Sequence, residues 1–167
     1  MSEQTPPVDE RPQLLVIDDD LVQRKIISKL GAQAGFGVTG AATFDEAEAA
    51  LHSRRFDCIT LDLALGTKSG VMLLNTIRDT GNLAPVVIVS GAEPAVLGET
   101  VNIARSLSLN AQFMGKPLDL VELRGILAKK QGSALAVRGN VEISRSLTQS
   151  PDQGLMSRIS SVVRSSL

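Results

Sequence analysis

The chain has no tryptophan and no tyrosine, and its only aromatic residues are four phenylalanines. Proteins that read single-stranded bases or sugars by ring stacking would have almost nothing to work with. A single cysteine, Cys58, can form no internal disulfide and cannot supply a structural zinc site, so nothing calls for an oxidising compartment. Charge of one sign is missing too: 17 basic against 18 acidic side chains leave a formal net charge of -1. That balance removes any global pull toward nucleic acid or an anionic membrane. No apolar run approaches the roughly 20 residues of a membrane-spanning helix. The acidic, proline-bearing start, residues 1–12, is unlike a secretion signal and is expected to be disordered. A soluble, cytoplasmic protein is the expectation.

At 167 residues and 43% hydrophobic composition the chain can build one core, burying roughly two thirds of the surface its unfolded form exposes. The texture changes near Lys130. Residues 1–130 carry 13 basic and 16 acidic side chains, whereas 131–167 carry 4 and 2. We therefore expect a domain over 13–130 and a flexible tail over 131–167. In the tail, 131–153 is rich in Ser, Gly and Gln and reads as linker. Leu155, Ile159, Val162 and Val163, with Arg158 and Arg164, suggest a short amphipathic helix over 154–166, marginal in isolation.

Within the domain, short apolar runs alternate with stretches of helical period, the pattern of strand–helix units on a parallel sheet. Leu14 to Ile17 reads as a strand buried on both faces. Val22, Ile26, Ile27, Leu30 and Ala34 then share one helical stripe, and Gly35 ends that helix. Phe36 to Ala41 is a weaker strand. Thr43 with Glu46 forms a capping box for a second helix. Phe56 to Leu61, Pro85 to Val89 and Ala111 to Gly115 complete the strands. Helices follow with stripes Val71/Leu74/Ile77, Leu97/Val101/Ala104/Leu107 and Leu120/Leu123/Ile126/Leu127.

Right-handed crossovers place such helices on both faces of an open, doubly wound α/β sheet, and polar ligands then sit at the carboxyl ends of the strands. Asp18 and Asp19, Asp62, Ser90 and Lys116 fall at or just after the ends of the first, third, fourth and fifth strands. One rim collects them all. Three converging carboxylates repel one another unless one is protonated or a hard cation is bound. Magnesium, Mg2+, suits oxygen ligands and is commonly held by one or two carboxylates plus phosphate. A lysine and a hydroxyl beside it would cradle the oxygens of a phosphoryl group in transfer, with a carboxylate as nucleophile.

With Asp18-Asp19, Asp62, Ser90 and Lys116-Pro117 in this order, the chain from Leu14 to Lys130 resembles the receiver domain of two-component response regulators. Gly70, eight residues after Asp62, and Phe113, three before Lys116, also match that family. The resemblance implies a flavodoxin-like five-stranded parallel sheet in the order 2-1-3-4-5. It implies that Asp62 accepts a phosphoryl group from a histidine kinase or phosphotransfer protein. Asp19 and Asp62 would bind magnesium directly, the Ala64 carbonyl would be a third ligand, and Asp18 would act mostly through water. Ser90 and Lys116 would read the phosphoryl oxygens, and Phe113 would be a switch aromatic. The chain also departs from the family pattern. Leu65-Gly66 stands where the family usually has Met-Pro, which predicts a more flexible loop. Ala64 and Ala92 offer no polar side chain to steer an attacking water. Ser90-Gly91 and the stretch 97–110 look like receivers that precede EAL-type cyclic di-GMP phosphodiesterase domains, although 37 further residues would not hold such a domain.

Two other readings fit parts of the pattern. Asp18 and Asp20 with Ser90 and Lys116 match motifs of haloacid-dehalogenase-like phosphatases, but Asp62 is then unexplained and the expected later acidic strand end is missing. A receiver-like interaction module that is never phosphorylated is the other. Asp20 itself reads as a helix cap. His52 reads as a surface residue and Cys58 as a small buried hydrophobe. With no helix-turn-helix in sight, direct DNA binding is not expected. The output would be contact with an as yet unidentified protein target, with a homodimer through the fourth and fifth units as one form of it.

Overall fold

The computed structural model describes residues 10–149. The expectations for residues 1–9 and for a helix over 154–166 lie outside the described residues. The chain divides into two compact units, Met1–Leu135 and Ala136–Leu167.

The apolar runs become strands in the first unit: β1 (Gln13–Ile17), β2 (Gly37–Ala41) and β3 (Cys58–Asp62). Two-residue strands β4 (Ala64–Leu65) and β5 (Lys68–Ser69) follow, then β6 (Val86–Ser90) and β7 (Ala111–Gly115). The helices are α1 (Leu21–Gln33), α2 (Phe44–Ser53), α3 (Val71–Asp79), α4 (Pro94–Ser106) and α5 (Leu120–Gln149). The main sheet is five-stranded and parallel in the order β2-β1-β3-β6-β7. Setting aside the small β4–β5 hairpin, this is the expected 2-1-3-4-5.

Alternation along the strands feeds two cores, as a sheet covered on both faces requires. Leu15, Ile17, Ile59, Leu61 and Ile88 pack with Leu51 of α2 and Leu73, Leu74 and Ile77 of α3. Leu14, Val16, Cys58, Val87 and Val89 pack with Ile27 and Leu30 of α1 and Leu123 and Leu127 of α5. Asp18 and Asp62 continue the parity of the second set. The chain leaves β1 for β2 on one side and comes back to β3 on the other, so a crevice opens at the carboxyl ends of β1 and β3.

Several details differ from the sequence reading. Val22 is 65% exposed and Ile26 is also at the surface, so the buried face of α1 is not the full apolar stripe. Its centre is Ile27, Leu30 and Gly31. A Cβ at Gly31 would collide with the Leu14 side chain, so the missing side chain is what lets α1 lie against β1. Leu120 is exposed at the start of α5 rather than facing inward. Pro12 is buried and its carbonyl accepts from Gly37 N–H at 2.9 Å, so order begins before residue 13. Over residues 131–149, read from composition as linker, α5 continues to Gln149, and its part in the second unit, 136–149, is helical throughout.

Candidate functional site

Four chain reversals at the carboxyl edge of the sheet build the site. The first is β1 into α1. Asp20 caps α1, accepting from Gln23 N–H at 2.8 Å, which turns the chain sharply after Asp18 and Asp19. Asp18 is 1% exposed; its Oδ1 accepts from Asp20 N–H at 2.9 Å and its Oδ2 from Gln23 Nε2 at 2.6 Å. Arg24 Nη1 donates to the Asp18 carbonyl at 2.6 Å, locking the same turn from behind.

The second reversal is β3 into α3 through the β4–β5 hairpin. Asp62 is buried, with Oδ1 accepting from Ala64 N–H at 3.0 Å. The hairpin is pinned rather than loose. Leu65 is buried, and Gly66 takes the positive φ of +61° that the turn needs and donates its N–H to Asp19 Oδ2 at 3.2 Å. Lys68 pairs with Asp45 at 2.6 Å and lies 4.8 Å over the Phe44 ring. The segment expected as a loop at Leu65-Gly66 is thus the turn of a small antiparallel hairpin. Gly70 closes it: its N–H donates to Leu63 O at 2.8 Å, and a Cβ there would run into the Asp62 carbonyl.

The third and fourth reversals are β6 into α4 and β7 into α5, side by side in the sheet. Ser90 stands opposite Gly115, and Lys116 N–H donates to Ser90 O at 3.1 Å, so hydroxyl and lysine leave the sheet side by side. The Ser90 Oγ accepts from Ala92 N–H at 3.0 Å, which makes it a turn former as well as a rim hydroxyl. The Lys116–Pro117 peptide is cis. Lys116 Nζ reaches Asp62 Oδ2 at 2.7 Å.

The four segments therefore converge. One carboxylate oxygen from each of Asp18, Asp19 and Asp62 lies within 4.8 Å of the others, a set of hard oxygen donors that fits a divalent cation such as magnesium or calcium. Burial pushes the Asp18 carboxyl above its ordinary value of 3.8, and the neighbouring Asp62 charge adds to the rise. Asp20 N–H, Lys116 and Gln23 oppose it. Two buried carboxylates served by one lysine leave unbalanced negative charge, which a cation would offset.

Other candidates fall outside this cluster. Phe113 is half-buried and packs on the core shared by β3, β6 and α3. Ala64 is exposed in β4. Asp20 is engaged as the α1 cap, not turned into the cluster. His52 is exposed, with its Nδ1 against Glu48 O at 2.9 Å. Cys58 is buried, and its thiol is pushed up to about 12 by burial. Gly35, with φ +97°, ends α1 and cradles no phosphate. Sequence reasoning missed Gln23, whose side chain stands at Asp18; its signal was its place three residues after a capping aspartate.

Residues 14–128 match the sequence profile described as the response regulator receiver domain. The chain belongs to the response regulator receiver family. Receivers are signalling phosphoacceptors. Among curated relatives, Regulatory protein VirG of Agrobacterium tumefaciens (strain 15955) is 31% identical over 133 residues, covering 79% of this chain and 46% of that protein. Transcriptional regulatory protein FixJ of Bradyrhizobium diazoefficiens is 31% identical over 110 residues, covering 64% of this chain and 50% of that protein. The chain thus spans about half the length of these relatives. A solved CheY-like receiver from Methanospirillum hungatei JF-1 shares the fold with TM-score 0.66 at 20% identity, over 75% of this chain and 98% of that one. A Burkholderia pseudomallei response regulator, solved with a phosphorylated aspartic acid, a calcium ion and citrate, aligns with TM-score 0.60 at 26% identity. That alignment covers 80% of this chain and 74% of that one. The family assignment removes the phosphatase reading, in agreement with the capping role of Asp20. Among the described residues, no helix is long and apolar enough to cross a membrane.

Proposed function

We propose that this receiver accepts a phosphoryl group on Asp62 from a histidine kinase or phosphotransfer protein and signals by changing protein contacts. The observation that carries the reading is the convergence of Asp18, Asp19 and Asp62 within 4.8 Å, with Lys116 at 2.7 Å from the Asp62 carboxylate. A carboxylate oxygen of Asp62 attacks phosphorus; the new O–P bond forms as the donor N–P bond breaks, and the donor imidazole leaves with the bonding pair and takes up a proton. Ala64 N–H and Lys116 hold the two Asp62 oxygens and fix the direction of approach.

Asp19 and Asp62 would hold magnesium, with Asp18 behind them and the Ala64 carbonyl as a further ligand. When bound, the ion supplies positive charge against the phosphoryl oxygens in the transition state. Lys116 neutralises the same charge from the β7 side, and the Ser90 hydroxyl donates to a phosphoryl oxygen. A dianionic group on Asp62 would draw Ser90 and Lys116 inward and bias the face of α4, β7 and α5, with Phe113 following. A target protein or a second copy would read that face. The protein would act in the cytoplasm as a signalling phosphoacceptor, without direct DNA contact by this domain and without turnover of an external substrate.

The test is labelling by acetyl phosphate with magnesium, in the wild-type chain and in Asp62→Asn. Label lost in the variant supports the reading. Label retained in Asp62→Asn, or no label in the wild type, overturns it, the second result favouring an unphosphorylated interaction module.

A further inference from the structure

Gln23 belongs to no acidic motif, yet its side chain makes a short contact at the site. Its Nε2 donates to Asp18 Oδ2 at 2.6 Å while Asp20 N–H donates to Oδ1 at 2.9 Å, so both oxygens of Asp18 are held by the first turn of α1. The backbone of Gln23 is anchored separately, its N–H capped by Asp20 Oδ1 at 2.8 Å. The side chain is therefore free to serve Asp18 without carrying the cap.

We propose that Gln23 is a positioning residue for the divalent cation, holding the plane of the Asp18 carboxylate toward Asp19 and Asp62. This rests on the reading of the acidic cluster as a magnesium site. Asp18 is 1% exposed, so water cannot readily replace a lost donor, and the freed oxygen would swing or remain unpaired. A carboxamide suits the position on charge grounds as well. It donates without bringing a cation that would compete for the carboxylate, whereas an acidic side chain would add a fourth negative group. Gln23 touches Asp18 and acts through it. Outer hydrogen-bond partners of this kind are typically worth 10- to 100-fold in metal affinity. One amide at a partly exposed position belongs at the lower end.

The experiment is titration calorimetry of the full chain with magnesium chloride, for wild type, Gln23→Leu and Gln23→Glu. Leucine keeps the bulk and removes the donor; glutamate keeps the shape and turns the donor into an acceptor. Magnesium affinity is expected to fall about 10-fold in Gln23→Leu and by less in Gln23→Glu, where the donor is lost but the added negative charge attracts the ion. Acetyl phosphate labelling of Gln23→Leu should return to the wild-type rate once magnesium saturates. Wild-type magnesium affinity in both variants, or a labelling deficit that persists at saturation, overturns the role of Gln23 and leaves the phosphoacceptor reading intact. A wild-type chain that takes no magnesium overturns both.

Discussion

Lys116 and Asp62, 54 residues apart in the chain, meet in an ion pair of 2.7 Å in which the carboxylate is buried and the ammonium only partly so. The pair ties the end of β3 to the end of β7, across β6. Under the proposed function it also sets the terms on which Asp62 would react, since the lysine holds the oxygen opposite the one held by Ala64 N–H.

Removing the lysine leaves a buried charge beside Asp18. Lys116→Ala is expected to lower the unfolding free energy at neutral pH by about 2–3 kcal/mol, less than for a fully enclosed pair because the lysine is partly solvated. Magnesium should restore much of the loss. Urea denaturation with and without magnesium checks this; unchanged stability in magnesium-free buffer contradicts it.

Asp18 gives a pH dependence of known sign. Its carboxyl is raised above 3.8, chiefly by burial, so between that value and the raised one the native state holds more protons than the unfolded chain. Its contribution to stability is then fully present below 3.8 and declines as pH climbs through the raised value. In magnesium-free buffer, Asp18→Asn should therefore gain on wild type as pH rises through this window, and the gap should level off above it. Denaturation midpoints of both chains across the acid range check this. A gap that is constant or shrinks with pH would refute it.

The two glycines of the β3–α3 connection should respond differently. Gly70→Ala drives a methyl group into the Asp62 carbonyl and the Leu63 Cα, both backbone, and should cost about 1–3 kcal/mol. It should also displace Asp62 and slow labelling. A Cβ at Gly66 meets nothing within 4 Å, so Gly66→Ala carries only the strain of its φ of +61°. That strain is about 1–2 kcal/mol, and labelling should be largely kept. Equal effects on labelling would contradict the packing argument.

Cys58, wholly buried and with its thiol pushed up to about 12, should react with thiol reagents only when the domain opens. The modification rate should rise with urea in step with unfolding. Rapid modification of the native chain would show that this core is not closed.

The sheet was legible because strands covered on both faces leave uninterrupted apolar runs, and the candidate site because each of its residues follows such a run. Asp18, Asp62, Ser90 and Lys116 all lie at the rim the strand ends imply. What was not legible depends on neighbours. Apolar identity drew the α1 stripe through Val22 and Ile26, whereas the buried face is centred on Gly31, a residue that helix periodicity does not register. The stretch after Lys130 resembled a linker because of its Gly, Ser and Gln. A helix tolerates isolated glycines at about 1 kcal/mol each, and no proline interrupts the chain between Pro117 and Pro151. The hairpin at Leu65-Gly66 is ordered by Leu65 burial and by partners 47 and 23 residues away, Asp19 and Asp45, which local composition cannot reveal.

The most direct measurement is the location of the phosphoryl group itself. After acetyl phosphate treatment with magnesium, borohydride reduction converts an aspartyl phosphate to homoserine, and peptide mass spectrometry finds where. Conversion at Asp62 alone is the expected result. Conversion at Asp18 or Asp20, or none at all, would contradict the account.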